Sequence, residues 1–366
     1  MKRSQEAGEK KVFVALSGGV DSSVAALLLK EAGYDVTGVF MRCYNLDGCA
    51  ERDAKDARRV AQKLGIPFYV WDFEEEYKKR VVDYMVEGYR QGLTPNPDVM
   101  CNREIKFGLF FDKARAAGAD YVATGHYVRL RSSANIESIT NLRMSGSKSN
   151  SQICDKISYS LITAHDAQKE QSYFLWTLTQ EKLRHCLFPI GDYLKSEVRE
   201  LARKAGLPTA EKKDSQGICF LGQVDLGDFL RTYIAPKRGA VLTVAGEKIG
   251  EHDGAHLYTL GQRHIGLANR RPTRTERGLT RKEFKPVYVV EKNMRANTVV
   301  VAEGDDNPAL YKNEIVSSTA WRQENKSIWR KIRPTTVGRD HGTVLLGGST
   351  RHFLRPSRGM EWKSIP

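Results

Sequence analysis

Ser17-Gly18-Gly19-Val20-Asp21-Ser22-Ser23 places three hydroxyls, two glycines and one carboxylate in seven consecutive positions. An apolar run, Val12 to Leu16, precedes the stretch, and a helical pattern, Val24 to Lys30, follows it. A strand, a glycine turn and a helix start in that order make an anion site. The glycines let the backbone approach an oxygen ligand closely, and the hydroxyls and the free N–H groups of the first helical turn point at it. The common phosphate loop is ruled out, because no Gly-Lys-Ser/Thr follows at the required spacing. A Gly-Ser turn that only caps a helix through Asp21 or Ser22 is the plainer alternative. Agreement of strand, turn and helix favours the anion site.

Two cysteines stand in contexts that could make them reactive. In Thr94-Pro95-Asn96-Pro97-Asp98-Val99-Met100-Cys101-Asn102 the prolines give a rigid turn and extend the residues before them. Asp98 and Cys101 are then held near the start of the next helix, where a thiolate is favoured and a carboxyl could pass protons. In Lys212-Lys213-Asp214-Ser215-Gln216-Gly217-Ile218-Cys219-Phe220-Leu221-Gly222 two glycines flank a cysteine inside a basic loop. The lysines favour a thiolate and the glycines let the loop move. A structural cysteine beside a turn is the alternative at both places. Cys43, Cys49, Cys154 and Cys186 read as incidental, with no zinc-type spacing and hence no metal site of their own.

These residues need a frame that brings distant loops together. Residues 11–130 alternate strand and helix patterns: Val12–Leu16, Asp21–Ala32, Val36–Met41, Arg52–Leu64, Pro67–Trp71, Glu74–Gln91, Ile105–Ala117 and Asp120–Thr124. Such alternation predicts an α/β fold with a doubly wound parallel sheet, whose ligands bind at the C-terminal strand ends, where Ser17, Met41 and Thr124-Gly125-His126 lie. Residues 131–158, rich in Ser, Asn and Lys, read as a mobile insertion. Helical patterns return at Gln168–His185 and Lys195–Ala205. Short β-type runs follow at Val241–Val244, Leu257–Leu260, Val287–Val290 and Thr298–Ala302. Three domains are expected: residues 1–221, a small central β-rich domain at 222–285, and a C-terminal β-barrel-like domain at 286–366. Lys and Arg number 58 against 44 Asp and Glu, a net charge of +14 that favours a polyanionic partner. No apolar run nears the roughly 18 residues of a membrane span, and no secretory segment opens the chain. A cytoplasmic protein without a membrane partner is expected.

The loop Ser17–Ser23 resembles the pyrophosphate-binding loop of ATP pyrophosphatases. With Asn96–Asn102, Ala123-Thr124-Gly125-His126-Tyr127, Gln171-Ser172-Tyr173-Phe174-Leu175, Asp214–Gly222 and Thr259-Leu260-Gly261-Gln262-Arg263, taken in order, the chain resembles the tRNA-specific 2-thiouridylase family over roughly residues 11–333. The resemblance implies that residues 1–221 are an ATP pyrophosphatase domain. Ala15, Leu16, Ser17, Gly18, Gly19, Val20, Asp21 and Ser22, with Met41 and Gly125, would bind ATP together with Mg²⁺. It implies catalytic roles for Cys101 as nucleophile, Cys219 as persulfide carrier and Asp98 as acid/base. It implies tRNA contacts at Asn96, Pro97, Asp98, His126, Lys169, Glu170, Gln171 and Arg333, although His126 could equally order the nucleotide loop. The implied reaction is ATP-dependent 2-thiolation of the wobble uridine in tRNAs with Lys, Glu or Gln anticodons. Its sulfur would come from a cysteine desulfurase or a carrier protein. After Arg333 the chain departs from the family's pattern: Pro334-Thr335-Thr336-Val337-Gly338 stands where a Thr-Pro-Gly-Gln segment belongs. Two alternatives remain: another ATP pyrophosphatase, such as a tRNA lysidine synthetase or an amidotransferase-type synthetase, or a tRNA-binding relative whose catalysis has decayed.

Overall fold

The computed structural model describes residues 10–44, 48–133, 157–214, 224–263, 265 and 285–311. The chain divides into two compact units, Met1–Val81 with Pro97–Val224, and Val82–Asn96 with Asp225–Pro366.

The first unit is built on five parallel strands in the order β3-β2-β1-β4-β7: β1 (Lys11–Ala15), β2 (Asp35–Arg42), β3 (Phe68–Asp72), β4 (Tyr121–Ala123) and β7 (Cys186–Leu187). Alternation along β1 feeds two cores. Val12 and Val14 pack with α1 (Val20–Glu31), α2 (Cys49–Leu64) and α8 (Lys195–Lys204) through Val24, Val60 and Val198, all fully buried. Phe13 meets Trp71, which in turn meets Phe110 of α6 (Phe110–Ala116). Helices therefore cover both faces, as the doubly wound expectation requires. Strand order reverses at β1, which has β2 on one side and β4 on the other. That reversal opens a crevice at the carboxyl ends of β1 and β4. An antiparallel pair, β5 (Val128–Ser132) and β6 (Tyr159–Thr163), is joined in register from Val128↔Thr163 to Ser132↔Tyr159. Most of the expected insertion at 131–158 lies between these strands and outside the described residues.

Several local expectations are corrected. The helix expected to open at Ile105 begins at Pro97 and runs through α5 (Pro97–Met100), a π-helical segment (Cys101–Leu109) and α6. Proline lacks only an N–H that the first helical turn leaves unpaired, so Pro97 starts the helix rather than ending a turn. The stretch Gln168–His185 holds only a 3-10 turn at Ser172–Phe174 and the short helix α7 (Gln180–Arg184). There Glu170 and Gln171 accept backbone N–H groups and compete with helix formation.

The second unit has a four-stranded sheet in the order β10-β11-β8-β9: β8 (Gly239–Thr243), β9 (Lys248–His252), β10 (Val287–Asn293) and β11 (Thr298–Glu303). β8 and β11 are parallel and the other pairs antiparallel. Val241, Ile249, Val289 and Val299 are fully buried at its centre. The boundary expected between residues 285 and 286 falls inside this sheet, because β8 pairs along its length with β11. Leu257–Leu260, expected as a strand, instead begins within a 3-10 turn, Ala255–Leu257, and forms no strand. Helix α4 (Asp83–Arg90) and residues 91–96 also belong here: Arg90 donates to the Tyr233 carbonyl at 3.0 Å, and the Thr94 and Thr259 hydroxyls lie 3.3 Å apart. These residues had been expected in the first domain.

Candidate active site

The loop Ser17–Ser23 runs from the end of β1 into α1, at the strand-order reversal. It is braced from within. Ser22 Oγ accepts the Ser17 N–H at 3.1 Å, lies 3.1 Å from Ser17 Oγ and donates to the Gly19 carbonyl at 3.2 Å. Ser23 Oγ donates to the same carbonyl at 2.7 Å and accepts from Thr209 at 3.0 Å in a buried pair. The first helical bond runs from Ser23 N–H to Gly19 C=O, so the N–H groups of Val20, Asp21 and Ser22 carry no intrahelical partner. They form the positive end of the helix.

Two glycines let neighbouring backbone close on this loop. Gly18 has φ +75°, and a Cβ there would lie 2.3 Å from the Asp53 carbonyl oxygen at the start of α2. A Cβ on Gly125, just after β4, would lie 2.6 Å from Ser22 N and 2.8 Å from Asp21 C. The turns after β1 and β4 thus touch backbone to backbone, with no room for a side chain between them. Met41 lies near the end of β2, opposite Trp71 of β3.

Asp21 is the centre of an ionic network that the sequence did not announce. Its carboxylate accepts the Tyr127 hydroxyl at 2.9 Å and the Lys195 ammonium at 2.7 and 2.9 Å. Lys195 also pairs with Asp214 at 2.9 Å, and Asp214 pairs with Lys169 at 2.9 Å and Arg199 at 2.7 Å. Burial raises the Asp214 pKa, but the bonds from Lys195 and Lys169 outweigh it and hold the carboxyl down to about 2. For the Tyr127 hydroxyl, burial and the neighbouring Asp21 charge both push the pKa upward, which keeps it a donor. Lys212 reaches Asp53 at 2.7 Å and Asp56 at 2.6 Å. Burial opposes its charge, but the two carboxylates prevail and raise its pKa. Segment 209–214 is therefore tied to α1 by Thr209, to α2 by Lys212 and, through Lys195, to Asp21. Tyr127, Lys212 and Asp214 sit inside motifs legible in the sequence, but Lys212, expected to favour a thiolate, is paired with Asp53 and Asp56 instead. Lys195 gives no local signal, because its partner Asp21 is 174 positions away.

His126 is buried, its Nδ1 2.7 Å from Thr124 Oγ1 and its ring against Phe107 and Phe188. Burial and the nearby Lys106 hold its pKa well below the usual histidine range, so it is neutral. Of its two expected roles, this position suits ordering the turn rather than an open tRNA contact. The other expected tRNA contacts at 169–171 are also engaged within the unit. Lys169 pairs with Asp214, Glu170 accepts the N–H groups of Ala164 and Ser172, and Gln171 Oε1 accepts the Tyr127 N–H at 2.9 Å.

Asp98 lies in α5, the helical turn that Pro97 opens, and is partly exposed. Cys101 is 6% exposed and begins the π-helical segment, a turn after Pro97. It thus stands near the start of the helix, just past the first turn, within which a helix end acts most strongly on a thiol. Phe107, on the same segment, carries the contact to His126 and so to the turn after β4. Asn102 is 2% exposed; its amide donates to the Phe174 carbonyl at 3.4 Å, and its Oδ1 finds no partner. A buried acceptor beside Cys101 is thereby left for another donor. Asn96 lies in the second unit. Cys219 and Arg333 lie outside the described residues.

Residues 10–223 match the family model described as tRNA methyl transferase HUP domain, and residues 227–303 the one described as tRNA methyl transferase PRC-barrel domain. The chain is 40% identical over 333 residues to a tRNA-specific 2-thiouridylase MnmA of Bacillus cereus, covering 89% of this chain and 80% of that one. It is 40% identical over 351 residues to MnmA 1 of Geobacillus kaustophilus, covering 89% and 86%. With MnmA of Bacillus cytotoxicus the identity is 42% over 316 residues, covering 85% and 76%. Likeness at this level, covering 89% of the chain, places it in the tRNA-specific 2-thiouridylase family.

Proposed function

We propose that this protein uses ATP to replace the C2 oxygen of the wobble uridine of tRNA with sulfur. The observation that carries the reading is the Ser17–Ser23 loop, closed by Gly18 and Gly125 at the strand-order reversal, in a chain about two-fifths identical to named 2-thiouridylases.

In this reading Ala15 and Leu16 lead into a cradle in which the N–H groups of Val20, Asp21 and Ser22 and the Ser17 hydroxyl face the phosphates of ATP. Met41 and Gly125 flank the nucleotide. Among the described residues no three acidic, histidine or cysteine side chains gather as a metal cage. Asp21, a carboxylate on the loop itself, fits a Mg²⁺ carried in by the phosphates, as is usual for this ion. Bound there, Mg²⁺ would neutralise phosphate charge.

A uridine extruded from the anticodon loop costs little unstacking, since the loop is single-stranded. Its O2 attacks the α-phosphorus and pyrophosphate leaves, which turns a poor leaving oxygen into AMP. Cys219 carries a persulfide received from a cysteine desulfurase or carrier protein. Cys101 attacks the Cys219 sulfur, a disulfide forms, and hydrosulfide departs. Hydrosulfide adds to C2 and expels AMP, and an external thiol reduces the disulfide. Asp98 moves the protons, and Asn96 and Pro97 line the uridine's approach. The substrates are tRNAs of the Lys, Glu and Gln type, met in the cytoplasm. Among the described residues no helix is long and apolar enough to cross a membrane.

The test combines purified protein, ATP, Mg²⁺, a sulfide source and unmodified tRNA, followed by nucleoside mass spectrometry. 2-Thiouridine at the wobble position is expected. With a protein persulfide donor, Cys219→Ser is expected to abolish thiolation and to leave adenylation intact. Retained thiolation would sink the carrier role.

A further inference from the structure

The braced loop contains no lysine or arginine, and its one ionisable side chain, Asp21, is an acid. A polyphosphate arriving there would meet a negative charge. Lys195, from the first turn of α8, supplies the nearest countercharge, 2.7 Å from Asp21 Oδ1 and 5.8 Å above the Tyr127 ring. Its side chain is 13% exposed. A cation on the first turn of a helix opposes the helix dipole, so the placement does nothing for α8 itself.

The pattern of partners is lopsided. The three ammonium hydrogens meet Asp21 twice and Asp214 once. Asp214 holds two further cations, Lys169 and Arg199, and Asp21 holds the Tyr127 hydroxyl. In direct side-chain contact, two carboxylates face three cations. Asp166 adds its charge nearby but spends its oxygens on the backbone N–H groups of Lys195 and Gln168. Lys195 is the one cation of the set that touches the loop's own acid, and it can turn away without stranding either carboxylate, since Asp21 keeps the Tyr127 hydroxyl and Asp214 keeps Lys169 and Arg199.

We infer that Lys195 is a phosphate-binding residue, the cation this loop lacks in its own sequence. It exchanges Asp214, and part of Asp21, for a phosphate oxygen of the nucleotide and of the pyrophosphate that leaves. The inference rests on the nucleotide reading of the loop. No bond is made or broken in the exchange; one ion pair replaces another.

Calorimetric titration of the full chain with ATP, inorganic pyrophosphate and adenosine tests it. Lys195→Met is expected to weaken ATP and pyrophosphate roughly tenfold or more, the worth of one charge-assisted contact, and to leave adenosine unchanged. Lys195→Arg, which keeps the charge, is expected to recover most of that affinity. Equal binding of ATP by wild type and Lys195→Met overturns the inference. So does equal loss of ATP and adenosine, which marks a role in holding the site together, or an arginine variant that binds adenosine normally and phosphate no better than methionine. A wild-type protein that binds neither ATP nor pyrophosphate overturns the nucleotide reading itself.

Discussion

Gly125 shows how little freedom the site allows at the scale of one residue. An added methyl would sit 2.6 Å from Ser22 N, a separation that real Cβ atoms do not tolerate, and the obstacle is backbone. Gly125→Ala should destabilise the protein by about 1–3 kcal/mol, as overpacking does. It should raise the KM for ATP in a tRNA-dependent pyrophosphate assay; an unchanged KM would mean the loop adjusts freely. Asp214 makes a different prediction. Its carboxyl titrates near 2 in the folded protein against an ordinary 3.8, because Lys195 and Lys169 outweigh the effect of burial. The unfolded chain therefore binds the proton first as pH falls. The Asp214 contribution is complete above about pH 4 and is lost as pH falls towards 2. Urea unfolding of Asp214→Asn across that window should show a shallower loss than wild type, and parallel curves would count against it. The loop was legible from sequence because its chemistry is local: glycines, hydroxyls and a helix start within seven residues. Lys195 was illegible because the loop acid it grips, Asp21, lies 174 positions away.

Among the elements, β1, β2, β3 and α1 lie within a few residues of their expected positions. Each is a strong periodic run bounded by turn residues. Two of the misplaced elements have separate causes. Pro97 was read as closing a turn, although the same ring suits the first position of a helix. Glu170 and Gln171 have good helix propensity, but their side chains serve the backbone N–H groups of Ala164 just after β6, of Ser172 and of Tyr127. Tertiary demand overrode local preference. Segment 209–214 illustrates the opposite, an irregular stretch made firm by what it grips. Lys212→Met would leave Asp53 and Asp56 of α2 without their shared cation. A loss of about 1–2 kcal/mol by thermal melting is expected, in the range for hydrogen bonds to charged groups. No loss would mean that Thr209 and Asp214 hold the segment alone.

For the whole molecule, the excess of 58 basic over 44 acidic residues predicts a strong salt effect. Affinity for tRNA should fall steeply between low and physiological salt, as phosphate contacts release counterions. Filter binding across that range would show it, and a flat profile would remove the polyanion argument. The second unit is assembled from two separate lengths of chain, Val82–Asn96 and the part from Asp225 onward. Its early portion carries Met85, Val86 and Tyr89, all buried. A fragment ending at Val224 should accordingly aggregate, or bind a dye specific for exposed apolar surface, though it contains all of residues 10–223 that match the HUP-domain family model. The same arrangement has a consequence during synthesis. Thr94 leaves the ribosome 165 residues ahead of Thr259, which its hydroxyl faces in the finished protein. At about 5–20 residues per second the wait is roughly 10–30 seconds. Through that interval the nascent chain displays the apolar face of α4, Met85, Val86 and Tyr89, with the rest of its unit still unmade, and a chaperone that shields such faces would have its clearest opportunity there.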